Sequence, residues 1–176
     1  KQPPTATATT MSEVAEQEQP QEFKLFTWKD ISSNKTKQEA CDWFKDTFPP
    51  VASAHGIFLA EHKFPEDLRP MQFMNENLVT GYLQDLNDRA QHKVAYAVCL
   101  IHGPKGDKKF ALTQLWIFNT PEIPAAFQEA NIYSEFEWKK LNWETDQEFI
   151  LDVLVKDKGE SVKNVEGTIL ARQTYK

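Results

Sequence analysis

Hydrophobic and polar residues alternate in several short segments of the chain, a pattern typical of β-strands. In GIFLAEHKF, Ile57 and Leu59 fall on one face and Phe58 and Ala60 on the other. Two more β-rich runs, KVAYAVCLIHG and FALTQLWIFNT, are joined by GPKGDKK, which predicts a hairpin with a long loop. SEFEWKKLN and GTILARQTY bring the number of predicted strands to five.

Other segments repeat their apolar residues at helical spacing. TKQEACDWFKDTFPP begins with a capping box, in which the hydroxyl of Thr36 bonds a backbone N–H and Glu39 reaches back, and two prolines end the helix. NENLVTGYLQDLNDRA carries one apolar stripe and predicts a second helix. TDQEFILDVLV predicts another, with a capping box from Thr145 to Glu148.

The adjacent carboxylates in HKFPEDLRP allow either an acid/base pair or the start of a helix. Pro65 suits the first helical position, and Glu66 and Asp67 suit the first turn, where exposed N–H groups attract negative charge. Adjacent residues on a helix point about 100° apart, so the two carboxylates do not converge on one substrate atom. We therefore predict that a helix begins at Pro65.

The order of these elements predicts the fold class and the domain boundary. Five strands, three or four helices and a hairpin indicate an α+β domain with an antiparallel sheet, which can leave one face open to a partner. Residues 1–21 contain no aromatic residue, and ordering them would cost roughly 1–2 kcal/mol per residue in backbone entropy. We expect a flexible linker over residues 1–21 and a single folded domain over residues 22–176.

Composition and charge exclude several classes of protein. The 176 residues carry a formal net charge of −6, from 20 basic and 26 acidic residues, which disfavours a nucleic-acid binder. No apolar run approaches the roughly 18 residues of a membrane-spanning helix. Cys41 and Cys99 have neither metal-site spacing nor the density of a disulfide framework, so reduced thiols in the cytoplasm are expected.

Catalytic and metal-binding motifs are not evident in the chain. Both cysteines lie in apolar surroundings, and the four histidines lack the spacing of a metal-binding helix. The HGPKGDKK loop lacks the spacing of a phosphate-binding loop. We therefore expect no enzyme activity and no cofactor. Among the tryptophans, Trp116 is predicted to be the most buried and Trp143, just before a predicted helix, the most exposed.

Several local patterns together resemble one known family. HKFPEDL, FMNENLVTGYLQDLNDRAQHKVAYAVCLIHG, LTQLWIFNT and SEFEWKKLNWET occur in the order and at the spacing of the C-terminal domain of the gamma subunit of translation elongation factor 1. The resemblance covers most of residues 23–176 and is weakest at both ends. Its most specific parts are the Phe-Pro-Glu-acid-Leu turn, the Asn-Leu-aliphatic-Thr-Gly helix and the aromatic-Trp-Lys-Lys-Leu strand.

The resemblance implies a domain organisation and a role. Members of the family combine an N-terminal glutathione-transferase-like domain, a linker and a C-terminal domain with an antiparallel sheet. Residues 1–21 would then be the end of the linker, and the transferase-like domain would be absent from this chain. The gamma subunit is a non-catalytic scaffold of the complex that recharges the tRNA-delivering elongation factor with GTP. Its contacts with the exchange subunits are associated mainly with the N-terminal domain.

The first hypothesis is therefore a cytoplasmic, non-catalytic scaffold domain of the translation elongation factor 1 complex. Its expected partners are the guanine-nucleotide exchange subunits and an aminoacyl-tRNA synthetase. The alternatives are an RNA-contacting module and a fragment of a glutathione-transferase-like enzyme whose catalytic domain is absent. We expect a partner surface where the open sheet face meets the 104–109 loop. Its candidate residues are Lys105, Lys108, Lys109, Trp138, Lys139, Lys140 and Trp143.

Overall fold

One five-stranded antiparallel sheet organises the domain, as predicted. The computed structural model describes residues 22–176, and the predicted linker over residues 1–21 lies outside them. The strand order is β4-β1-β3-β2-β5. The strands are β1 (Gly56–His62), β2 (Ala95–Gly103), β3 (Ala111–Phe118), β4 (Phe136–Lys140) and β5 (Thr168–Tyr175).

The described residues contain more helices than the sequence pattern indicates. The three predicted helices are present as α2, α3 and α6, whereas α1 and the short α4 and α5 were not predicted. In α1, a stripe of apolar residues (Leu25, Trp28 and Ile31) is buried within a sequence poor in strong helix formers. The α-helices are α1 (Leu25–Asn34), α2 (Lys37–Thr47), α3 (Gln72–Asp88), α4 (Ala125–Gln128), α5 (Asn131–Glu135) and α6 (Trp143–Val155). Short 3₁₀ helices span Pro49–Ala54, Pro65–Asp67 and Gln91–Lys93.

Helices cover both faces of the sheet, so the expectation of an open face is wrong. Helices α1, α2 and α6 pack on one face, and α3 packs with α4 and α5 on the other. Every residue of β2 and β3 is buried. These two strands carry apolar side chains on both faces, and a sheet with one open face would leave half of them in water.

Aromatic rings dominate the core between α1, α2 and α6. The ring centroid of Phe44 lies 4.7 Å from that of Phe48, 5.0 Å from Trp28 and 5.3 Å from Trp143. Trp143 is only 8% exposed, so the prediction that it faces solvent is wrong. On the other face Trp116 is fully buried, as predicted.

The helix boundaries test the predicted capping motifs. At α2 the capping box is confirmed, because Thr36 Oγ1 accepts the N–H of Glu39 at 3.1 Å and the N–H of Thr36 donates to Glu39 Oε1 at 3.2 Å. The box predicted at Thr145 is wrong, since α6 begins at Trp143, three residues before the predicted first helical residue, Asp146. There Asn142 is the N-cap, and its Oδ1 accepts the N–H of Glu144 at 2.8 Å. The earlier start lets Trp143 pack into the core.

The carboxylates after Phe64 lie in a 3₁₀ turn rather than in the first turn of α3. That turn spans Pro65–Asp67, its two acidic side chains are exposed, and α3 begins only at Gln72. Pro70 disfavours a helical conformation at the preceding Arg69, so an α-helix does not run through this point. The buried Asn75 bonds the backbone N–H of Arg69 at 2.9 Å and its C=O at 3.0 Å. A helix therefore starts at Pro65 with both acids in its first turn, as predicted, but it is a single 3₁₀ turn and not the start of an α-helix.

Replacing Phe44 tests the aromatic core. Its side chain is fully buried at the centre of the cluster, so Phe44→Ala is expected to lower the free energy of unfolding by about 3–5 kcal/mol. Phe26, on the neighbouring helix α1, is 83% exposed, and Phe26→Ala is expected to change the same quantity by less than about 0.5 kcal/mol. Urea denaturation followed by tryptophan fluorescence measures both, and equal losses for the two variants would contradict the packing described.

Candidate functional site

The residues predicted to form a partner surface do not lie together. The hairpin lysines are at the end of the sheet where β2 turns into β3, and Lys105 reaches Glu61 there at 3.6 Å. Lys139 and Lys140 lie further along β1, opposite Leu59 and Phe58. Lys105 thus reaches β1 two residues along from the position opposite Lys139.

The hairpin loop is ordered by its own backbone and by neighbouring acidic side chains. Lys105 and Lys108 exchange two backbone hydrogen bonds of 2.9 Å each, and the N–H of Gly106 donates to Glu166 Oε2 at 2.9 Å. The ammonium group of Lys109 donates to the carbonyl oxygen of Pro70 at 3.0 Å. These contacts hold the loop against the segment that precedes α3.

On β4 the predicted residues have different environments. Lys140 pairs with Glu122 at 2.6 Å, whereas Lys139 is exposed. Trp138 is half-buried, and its indole N–H donates to the carbonyl oxygen of Tyr133 at 3.0 Å. Trp143 packs on the opposite face of the sheet from Trp138. Of the predicted residues in this region, Trp138, Lys139 and Lys140 are accessible and Trp143 is not.

An apolar groove that the sequence analysis did not identify lies beside the hairpin loop. This end groove has a volume of about 540 Å³. Gly103 lets it form, because a Cβ there would lie 2.3 Å from the carbonyl oxygen of Lys109. The groove is lined by Met71, Gln72, Gly103, Pro104, Lys109, Phe110 and Leu170.

Four exposed apolar side chains, of which Met71 lines the end groove, lie within residues 64–74. Met71 is 53% exposed and Phe73 52% exposed, and Phe64 and Met74 are also exposed. Phe26 is the only other large hydrophobic residue in residues 22–176 with comparable exposure. In the sequence, the feature that could have indicated this groove is the apolar MQFM run before the buried stripe of α3. The run alone is a weak indication, because the groove exists only where the run and Phe110 line the same surface.

Neither cysteine has the environment of a reactive thiol. Burial raises the pKa of the half-buried Cys41 thiol, although Lys45 acts in the opposite direction. Cys99 is fully buried in β2, and burial raises the pKa of its thiol strongly. A raised pKa keeps both groups in the less nucleophilic thiol form at neutral pH. These environments give no support to thiol-dependent catalysis in the described part of the chain.

Two histidines are buried within hydrogen-bonded clusters. Neutral His102 donates through Nδ1 to the carbonyl oxygen of Glu166 at 2.7 Å, and its Nε2 accepts from the hydroxyl of Thr113 at 2.7 Å. His62 lies 4.0 Å from Glu135, which accepts a 2.5 Å hydrogen bond from the hydroxyl of Tyr82. Burial lowers the pKa of both imidazoles.

Within residues 22–176, no three His, Cys, Asp or Glu side chains converge in a way that could bind a metal ion. The same residues contain no helix that is both long and apolar enough to cross a membrane.

Comparisons with known proteins agree on one family. Residues 10–122 match the family model described as elongation factor 1 gamma, conserved domain. Elongation factor 1-gamma of Schizosaccharomyces pombe is 29% identical over 139 residues, which are 77% of this chain and 32% of that protein. The Carassius auratus protein of the same name is 30% identical over 118 residues, 66% of this chain and 25% of that protein. The chain thus spans about a quarter to a third of the length of these relatives.

The pH dependence of stability tests the burial of His102. Its pKa in the folded state is lowered from 6.5 by desolvation and by Lys105, against the raising effects of Glu166 and Glu61. The unfolded chain therefore binds this proton more readily, and the free energy of unfolding is expected to fall as the pH drops from about 7 to about 5. His62 contributes with the same sign.

Urea denaturation at a series of pH values measures this slope. His102→Gln is expected to flatten it, and the His62→Gln/His102→Gln double variant to flatten it further. An unchanged slope in both variants would show that neither buried imidazole controls stability in this range.

Proposed function

This chain belongs to the elongation factor 1 gamma family, and from that membership we propose that it acts in translation elongation as a non-catalytic, cytoplasmic protein-interaction domain of the nucleotide-exchange complex. The proposal assigns the folded domain to residues 22–176 and a linker to residues 1–21. Because the chain spans at most about a third of its relatives, the proposal concerns this domain and not the activity of a longer protein.

The observation that carries the proposal is the exposed apolar surface next to the end groove. Aromatic residues and methionine are enriched in protein interfaces, and methionine adapts its shape to different partners. Phe64, Met71, Phe73 and Met74 are all exposed within residues 64–74, although the domain has buried apolar side chains on both faces of its sheet. Their exposure supports docking of a partner protein at this end of the sheet.

The charge at the groove suggests the chemistry of the docked segment. Among the described residues that line the end groove, Lys109 alone is charged. Its ammonium group donates one hydrogen bond, to the carbonyl oxygen of Pro70, and lies 5.3 Å from the ring centroid of Phe110, whereas a Lys ammonium group has three donors. We propose that a partner segment with an apolar anchor and a nearby carboxylate docks there, with Lys105 and Lys108 at the rim.

The other predicted residues are not part of the proposed docking surface. Trp138 and Lys140 point to one face of β4 and Lys139 to the other, and Trp143 belongs to the core. An RNA-binding role would require a continuous basic surface, but Lys105 and Lys140 are paired with Glu61 and Glu122. RNA binding is therefore an alternative that the crosslinking experiment with nuclease treatment distinguishes from protein binding.

A photo-crosslinker tests the docking surface directly. Phe73→p-benzoylphenylalanine places the probe beside the end groove, and the same substitution at Phe26 provides an exposed control on the opposite face of the sheet. After irradiation in a eukaryotic lysate, the probe at position 73 is expected to capture exchange subunits of elongation factor 1 or an aminoacyl-tRNA synthetase. The expected yield is about tenfold above that of the control, because hot-spot contacts concentrate binding energy at few positions.

The crosslinking is performed with and without nuclease treatment. Capture of the same subunits after nuclease treatment would support direct protein binding. Equal capture from positions 73 and 26, or loss of every product after nuclease treatment, would contradict the proposed docking surface. The second result would favour RNA as the ligand.

A further inference from the structure

The two edges of the sheet differ in how they are covered. β5 forms one edge, and a neighbouring loop bonds its start: the N–H of Ile169 donates to the carbonyl oxygen of Glu160 at 2.9 Å, and the N–H of Gly159 donates to that of Ile169 at 2.8 Å. β4 forms the other edge, and within residues 22–176 no further strand or loop bonds its outer side. An uncovered edge is a template for pairing with another strand.

The hydrogen bonds between β4 and β1 show which residues of β4 face outward. The N–H of Leu141 donates to the carbonyl oxygen of Ile57 at 2.8 Å, and the N–H of Lys63 donates to that of Glu135 at 3.1 Å. Bonded and non-bonded pairs alternate along an antiparallel ladder. The odd-numbered residues of this segment therefore direct their N–H and C=O groups towards β1. The even-numbered residues of β4 direct theirs to the open edge, and they are Phe136, Trp138 and Lys140.

The outer edge of β4 is complementary to a second copy of itself. An antiparallel pair centred on Trp138 places Phe136 of one copy opposite Lys140 of the other. Residues whose backbone groups face outward then meet each other, and each such pair can exchange two N–H···O=C bonds. The same pairing places Glu137 opposite Lys139, with both side chains on one face of the joined sheet.

The charges of β4 select this register. A shift that keeps the outward-facing residues opposite one another moves the centre of the pair by one residue, to Glu137 or to Lys139. Either shift places two like charges directly opposite each other, which destabilises a cross-strand pair. Of these three centres, only Trp138 gives opposite charges at both positions.

Glu137 and Lys139 are available for these pairs. Both side chains are exposed, and neither forms a salt bridge within residues 22–176. On β1, Glu137 lies opposite Glu61, so its neighbour within the chain has the same charge. A lysine from a second copy would offset this repulsion. At the centre, the half-buried Trp138 would meet its own copy, and aromatic cross-strand pairs are favourable.

We propose that two copies of this chain associate through the outer edges of β4, with the strands antiparallel and a two-fold axis at Trp138. Backbone hydrogen bonds hold the two strands together, and the pairs between Glu137 and Lys139 fix their register. β4 has only five residues, so the contact is smaller than the standard interface of about 1,600 Å², and a dissociation constant of about 100 μM is expected. The contact does not involve the end groove, so the docking surface there can fail without affecting it.

Sedimentation velocity of the 176-residue chain, at concentrations from about 5 to about 500 μM, measures the association. Hydrogen exchange followed by nuclear magnetic resonance then locates the contact. The amides of Phe136, Trp138 and Lys140 are expected to exchange more slowly as the concentration rises. The amides of Glu137 and Lys139 already bond β1, and their exchange should change much less.

Charge reversal tests the register. Glu137→Lys and Lys139→Glu each replace opposite charges by like charges at both positions, so each is expected to raise the dissociation constant by about tenfold or more. The double variant Glu137→Lys/Lys139→Glu restores opposite charges and should associate about as well as the original chain. An equal mixture of the two single variants should form the mixed dimer for the same reason. Lys45→Glu, at an exposed position on α2, is the charge control and should have little effect.

Lys140→Pro tests the backbone pairing. Proline at this outward-facing position keeps the hydrogen bonds to β1 but removes a donor from the open edge, so association should be lost while the urea unfolding midpoint changes little. Phe73→Ser is the control for association through the end groove and should leave the dimer intact. The proposal is overturned if the chain stays monomeric up to about 500 μM. It is also overturned if the double variant associates as weakly as the single variants, or if Phe73→Ser abolishes association and Lys140→Pro does not.

Discussion

Burial of the two central strands on both faces is the constraint on which the rest of the structure depends. Every residue of Ala95–Gly103 and Ala111–Phe118 is buried. Burying one large apolar side chain contributes roughly 1.5–3 kcal/mol, so neither face of these strands can be left in water without a large loss of stability. The layer of α1, α2 and α6 and the layer of α3 to α5 are both required for this reason. Polar residues within these strands are paired in part: His102 Nε2 lies 2.7 Å from the hydroxyl of Thr113, and Gln114 Oε1 accepts the indole N–H of Trp116 at 2.9 Å, whereas Gln114 Nε2 has no hydrogen-bond partner.

Because helices cover both faces of the sheet, surfaces available to a partner lie at the margins of the domain. The end groove forms where the β2–β3 hairpin meets the start of α3. The buried thiol of Cys99 and the imidazole of His102, which forms two hydrogen bonds, are part of the core. The proposed partner-binding role rests on the end groove and on membership in the elongation factor 1 gamma family.

The sequence predicted those features that local chemistry determines. Five strands and the Thr36–Glu39 capping box follow from side-chain alternation and from bonds between near neighbours in the chain. The exposed Trp143 and the open sheet face were predicted wrongly, because each is decided by contacts between distant segments. The helix predicted at Pro65 is present only as one 3₁₀ turn, because Pro70 disfavours a longer helix. The end groove was missed because it depends on Met71 and Phe110 lining one surface. The pairing of β4 with β1, which places Lys139 and Lys140, is likewise not revealed by the sequence alone.

Hydrogen–deuterium exchange of the backbone amides, resolved by residue, is the most direct test of the two-sided core. If helices cover both faces, the amides of β2 and β3 should be the slowest in the domain and should exchange only through global unfolding. Their exchange should be slower by about a hundredfold or more than that of Pro104–Lys109 and the outer edge of β4. Fast exchange of β2 and β3 through local opening, at free energies well below that of global unfolding, would contradict this account of the fold.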